Sequence, residues 1–138
     1  MQIQPYSLTQ REDGIYIARF QNHHRDTLEV HFDHLLNLYK DYPPNTPVYM
    51  VIRGSDDKLP SVRYVVSKIQ QLYSRVSAPK PLYVAFVYPR DDAILSMFVM
   101  MLDVMRLNAP RQFFRDEEAA IAWLQEQQLK QDTIDRTP

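Results

Sequence analysis

Apolar residues recur along the chain with two alternating periods, one of strands and one of helices. Tyr6 to Gln10 and Ile15 to Phe20 are β-prone runs separated by Glu12-Asp13-Gly14. An Asp-Gly step between two such runs predicts a hairpin, because the turn needs positive φ. The period then becomes helical. Leu28, Phe32, Leu35, Leu36 and Tyr39 share one face. Asp26 is placed to cap this helix, with Glu29 completing a capping-box-like pair. The proline cluster from Tyr42 to Pro47 ends it. Val48 to Ile52 is a continuous apolar run, the mark of a strand covered on both faces. Pro60 opens a second helical stretch carrying Val62, Val65, Val66, Ile69, Leu72, Tyr73 and Val76. Leu82 to Val87 is a second buried strand. Asp91 or Asp92 can cap a helix over Ala93 to Leu107, and Gln112 to Phe114 makes a last short strand. Asp116 caps a final helix carrying Ala120, Ile121, Trp123 and Leu124, and the Gln-rich end from Gln125 to Pro138 is expected to fray.

The predicted order is ββαβαβαβα: a single-domain α/β protein over residues 1–126, followed by a polar tail, 127–138. Strands alternating with helices at this spacing imply crossover units and a mostly parallel sheet, with the first hairpin strand antiparallel at one edge.

Within Ala93 to Leu107 only Ser96, Asp103 and Arg106 are not apolar. Ile94, Met97, Phe98, Met101 and Met105 suffice to pack on a sheet, which leaves Leu95, Val99, Met100 and Leu107 outside that face. Surplus apolar surface needs a cover, and a homodimer seam through those four residues is the favoured one. A wider intrachain core and a lipid-like ligand pocket are the alternatives. Four of the six methionines lie here, and methionine adapts to irregular partners.

Composition narrows the chemistry by exclusion. The 138 residues contain no cysteine, which removes disulfide scaffolds, cysteine-ligated zinc, iron–sulfur clusters and a thiol nucleophile. Two isolated glycines, Gly14 and Gly54, cannot build a Walker loop or a G-x-G-x-x-G fingerprint. The net charge of −1 gives no basic field for nucleic acid. No segment reaches the roughly 18 apolar residues that span a bilayer, and the first residues lack the pattern of a signal peptide. A cytoplasmic protein without cofactor is expected, and neither nucleic acid nor membrane is expected as a partner.

The closing run from Phe113 to Leu124, FFRDEEAAIAWL, resembles the C-terminal strand-helix signature of SpoIIAA-like proteins of the STAS family: a short strand, an acidic cap, a Glu-Ala pair and Trp-Leu. The element order is similar over residues 6–126. The resemblance implies a binding and regulatory module acting through protein–protein contacts rather than an enzyme. Anti-sigma factor antagonists of that family carry a phosphorylatable residue at the start of the helix after the central strand. Arg53-Gly54-Ser55-Asp56-Asp57 does not match that motif, so the phosphoserine is not carried over. Ser55 and Ser61 stay as candidates for phosphorylation, against the plainer reading of Ser61 as a helix cap. Some SpoIIAA-like proteins are grouped with SEC14-type lipid-binding domains, so the resemblance also permits a carrier of a small apolar or amphipathic ligand.

Ligands of open parallel sheets bind at the carboxyl ends of the strands. Those ends are the loops Arg53 to Lys58 and Tyr88 to Asp92, and the candidate binding residues are Arg53, Gly54, Ser55, Asp56, Tyr88, Arg90 and Asp91. Tyr88 offers an aromatic surface there and Gly54 a close backbone approach. His23, His24, His31 and His34 fall within twelve residues, with His31 and His34 three apart on one helix. H-E-x-x-H spacing is absent, so a solvated, partly stacked helix surface is expected rather than a metal-dependent hydrolase.

Overall fold

A computed structural model describes residues 4–41, 46–55, 58–75, 82–88, 100 and 110–136, with Tyr73 and residues 133–136 described by their backbone alone. The strands are β1 (Tyr6–Gln10), β2 (Tyr16–Phe20), β3 (Val48–Arg53), β4 (Leu82–Val87) and β5 (Arg111–Phe114). The helices among the described residues are α1 (Arg25–Asp41), α2 (Val62–Ser74) and α3 (Glu117–Arg136). The result is an α/β fold on one five-stranded mixed sheet, in the order β1-β2-β3-β4-β5. β1 runs antiparallel to β2, and every later pair is parallel. The helix expected over Ala93 to Leu107 lies outside the described residues, Met100 excepted.

The hairpin forms as the Asp-Gly step requires. Gly14 sits at φ +87°, Arg11 N–H donates to the Ile15 carbonyl at 2.8 Å, and Asp13 Oδ1 accepts from Ile15 N–H at 3.2 Å. Alternation along the inner strands then builds two cores. On one face Tyr16, Ala18, Phe20, Val48 and Met50 pack with Leu28, Leu35 and Tyr39 of α1 and Leu72 of α2. On the other, Ile17, Tyr49, Val51, Ala85 and Val87 pack with Ala120 and Leu124 of α3. Strands covered on two faces need apolar residues at every position, which is why β3 and β4 read as continuous runs.

Two expected caps resolve differently. Asp116 caps α3 as anticipated, its Oδ1 accepting from Ala119 N–H at 2.7 Å. The Asp26–Glu29 capping box does not form. Helix α1 starts at Arg25, and Asn22 Oδ1 takes the His24 N–H at 3.0 Å and the Thr27 hydroxyl at 2.7 Å. Glu29 instead faces α2, 3.4 Å from the Tyr64 hydroxyl and 3.7 Å from Lys68 Nζ.

The tail beyond Gln125 is a further correction. Helix α3 continues to Arg136 because two of its glutamines are tied to the hairpin turn. Gln125 Nε2 donates to Asp13 Oδ2 at 3.0 Å, and Gln128 Nε2 donates to the Asp13 carbonyl at 2.9 Å. Tertiary anchoring supplies what a polar sequence lacks on its own.

Candidate anion-binding cleft

The carboxyl ends of β2, β3 and β4 open into a cleft of about 350 Å³ lined by Arg19, Phe20, Gln21, Arg53, Gly54, Ser55, Val87 and Arg115. Its charge follows from strand register. Arg19 and Arg53 are direct partners across the parallel β2–β3 pair, and Arg53 is in turn the partner of Val87 on β4. Alternation places all three on the α3 face, because Ile17, Val51, Ala85 and Val87 belong to that face. Two like charges side by side on one face repel. The turn from β5 into α3 supplies the remedy. Arg19 Nη1 donates to Glu117 Oε1 at 2.6 Å and Nη2 to Oε2 at 3.2 Å, a two-pronged pair, while Arg53 Nη1 reaches Oε1 at 3.5 Å. Burial alone would raise the Glu117 carboxyl. Hydrogen bonding and charge from Arg19, then Arg53, outweigh that and hold it below the ordinary carboxylate value. Arg115 lines the same cleft from the β5–α3 turn.

Behind the cleft stands a histidine bracket. Ser55 N–H donates to His23 Nε2 at 3.3 Å, so that nitrogen must be the acceptor. The ring proton of the neutral imidazole therefore sits on Nδ1, which donates to the Lys58 carbonyl at 3.2 Å. His23 thereby joins the β2–α1 connection to the loop after β3. Its ring lies 5.7 Å from that of Tyr88, centroid to centroid.

Of the residues expected from sequence, Arg53, Gly54 and Ser55 line the cleft. Asp56, Arg90 and Asp91 lie outside the described residues. Tyr88 is buried at 8 % exposure and lines an apolar cavity rather than this cleft. Gly54 has a different duty from the one expected. A Cβ on it would run into Cε1, Cδ1 and Cζ of the Tyr88 ring, so the absent side chain makes room for Tyr88. Ser61 is the N-cap of α2, its Oγ accepting from Tyr64 N–H at 3.4 Å. Met100 is 61 % exposed, and Leu95, Val99 and Leu107 lie outside the described residues.

The expected solvated histidine surface is only half present. His31 is buried, with its Nδ1 2.8 Å from the Tyr6 hydroxyl, and His23 is buried in its bracket. His34 is exposed and stacks on Tyr6 at 5.6 Å. Among the described residues no three His, Asp or Glu side chains converge as a metal set.

Arg19 and Arg115 in the cleft and Glu117 beside it were missed by sequence reading, and His23 was weighed only as part of the histidine cluster. Arg19 and Arg53 each sit near the carboxyl end of a hydrophobic strand, in IARF and VIRG, and aligning strand ends would have paired them. Glu117, 98 residues from Arg19, leaves no such trace.

A second cavity, of about 110 Å³ and almost wholly apolar, lies between the opposite face of the sheet and helices α1 and α2, with Phe20, Leu28, Phe32, Ile52, Val65 and Phe86 among its walls. No described helix is long and apolar enough to cross a membrane. Compared with protein-family models, curated proteins and solved structures, the chain matches none.

Proposed function

We propose that this protein is a non-catalytic binding module of the STAS/SpoIIAA-like kind, and that it receives a ligand's or partner's anionic group in the arginine-lined cleft. The observation that carries this reading is the convergence of Arg19, Arg53 and Arg115 at the carboxyl ends of the parallel strands. Arginine suits recognition and is a poor proton shuttle, since it stays charged at every accessible pH. His23, the histidine beside the cleft, has each ring nitrogen bonded to a backbone group and is not poised as a base. The low-lying Glu117 carboxyl holds its charge and is a weak base for the same reason. Titration with inorganic phosphate, followed by amide chemical shifts, is expected to move the signals of Gln21, Gly54 and Ser55. Arg19→Gln is expected to weaken that binding by at least about tenfold, the size of one lost charge-assisted contact. Unchanged spectra in wild type would end the reading.

Homodimerisation through the Met-rich segment belongs to the same proposal, and the exposure of Met100 supports it. Met100→Glu is expected to shift the light-scattering mass toward that of a monomer while the circular dichroism spectrum is retained. A concentration-independent monomer mass in wild type would remove this part. The apolar cavity favours a second reading, a carrier of a small apolar or amphipathic ligand. A co-purifying mass in native mass spectrometry is its expected sign.

A further inference from the structure

His31 stands between the edge strand β1 and the apolar cavity. It is buried on α1 at 4 % exposure and lines the cavity, whereas its hydrogen-bond partner, Tyr6 of β1, does not. The Tyr6 hydroxyl lies 2.8 Å from His31 Nδ1, and burial pushes that hydroxyl upward in pKa, so it keeps its proton. Among the described residues it meets no other acceptor, so the hydroxyl donates and Nδ1 accepts. The neutral imidazole then carries its own proton on Nε2. Among the described residues no group accepts from that N–H. Because Nδ1 is turned to Tyr6, outside the cavity walls, Nε2 lies on the side of the ring that faces the cavity. The ring is also held in place. Phe20 and Phe32, both cavity walls, meet it edge-on at centroid distances of 5.0 and 5.5 Å. A buried donor without an acceptor is costly, and an arriving acceptor removes that cost.

Resting on the reading of this cavity as a carrier site, we infer that His31 Nε2–H is its recognition donor. The ligand class it selects is a small neutral carbonyl compound, an apolar body with one oxygen acceptor. Size follows from the space. The cavity, about 110 Å³, is of the order of a void of roughly 150 Å³ that holds benzene, so the occupant is about one small ring. Neutrality follows from the walls. Leu28, Ile52, Val65 and Phe86 offer only carbon, and an anion that loses its water among them needs a free cation. Arg111, the charged side chain on the described wall, already has an interaction of its own. His23 has both ring nitrogens bonded to backbone groups. Tyr6 acts as a positioning residue, since its hydroxyl sets which nitrogen of His31 carries the proton.

The test titrates cyclopentanone, methylenecyclopentane and butanoate, each with the six heavy atoms of benzene, into ¹⁵N-labelled protein. Cyclopentanone and methylenecyclopentane share a shape, and only the first has the acceptor. In wild type the His31 ring spectrum is expected to show the proton on Nε2, and cyclopentanone to move that N–H signal with the same midpoint as the amides around the cavity. Methylenecyclopentane is expected to move the amides and leave the N–H signal nearly still. His31→Phe is expected to weaken cyclopentanone about tenfold relative to methylenecyclopentane, the size of one hydrogen bond. The ratio of the two affinities cancels any change in cavity shape, and the wild-type ring spectrum decides the matter where the variant does not fold. Butanoate is expected not to bind measurably. A ring proton on Nδ1, an N–H signal that cyclopentanone leaves still, an affinity ratio unchanged by His31→Phe, or butanoate binding the tightest overturns the inference while the cavity stands as a ligand site. Amides that none of the three compounds moves overturn the site and the inference together.

Discussion

Replacing Gly54 by alanine is expected to destabilise the protein by about 1–3 kcal/mol, the range for overfilling a packed site. The reason is local. Gly54 is buried just after β3, its N–H donates to the Val87 carbonyl at 2.9 Å, and the place of a Cβ is already filled by the Tyr88 ring. That ring cannot swing away freely, because it is buried between Phe86, at a centroid distance of 6.3 Å, and His23, at 5.7 Å. Backbone conformation is not the cause, since the positive-φ glycine of this chain is Gly14. The expected cost is therefore coupled to the ring. In a double-mutant cycle monitored by urea unfolding, Gly54→Ala should cost far less on a Tyr88→Val background than on wild type. Equal costs on the two backgrounds would show that the contact is not what makes glycine necessary there.

Acid is expected to destabilise the fold through His31. Burial, and secondarily the nearby His34, lowers the His31 pKa from 6.5 to about 3. Its Nδ1 is hydrogen-bonded to the Tyr6 hydroxyl, and that hydroxyl is itself pushed upward by burial and keeps its proton. A base whose folded pKa is depressed is protonated first in the unfolded chain. Its contribution is therefore complete above the unfolded value and is lost as pH falls from there toward the folded value. Lowering the pH from about 7 to about 5 should cost roughly 2 kcal/mol from this residue alone. Urea midpoints at the two pH values check it. His31→Gln, which cannot titrate, should be less stable at neutral pH and should lose most of this acid sensitivity. A variant with undiminished sensitivity would assign the acid loss to other groups.

Much of the scaffold was legible in the residues. The hairpin was carried by Asp13-Gly14, whose conformational demand is local. The strands over Val48 and Leu82 were carried by uninterrupted apolar runs, and α2 by its regular apolar stripe, although it starts at Val62 behind the Ser61 cap and so leaves Pro60 outside its first turn. Those signals are short-range, and the fold agrees with them. Where reading stopped short, the deciding partner was distant. Helix α1 begins before Asp26, where Asn22 Oδ1 holds the His24 N–H and the Thr27 hydroxyl, and Glu29 is drawn to Tyr64 and Lys68 on α2. The polar end of α3 is held by Asp13 of the hairpin, more than a hundred residues earlier.

The site divides along the same line. By itself the sequence determined that the loops after the parallel strands would carry Arg53, Gly54 and Ser55, since alternating strands and helices put those ends on one side of the sheet. It also determined what chemistry is missing, because cysteines and glycine-rich loops are either present or not. Tertiary structure decided the rest. Parallel register set Arg19 beside Arg53, the turn into α3 delivered Glu117 across them, and close packing set the Tyr88 ring against Gly54. Each of these depends on side chains meeting from far apart in the chain, and neither periodicity nor propensity measures such meetings.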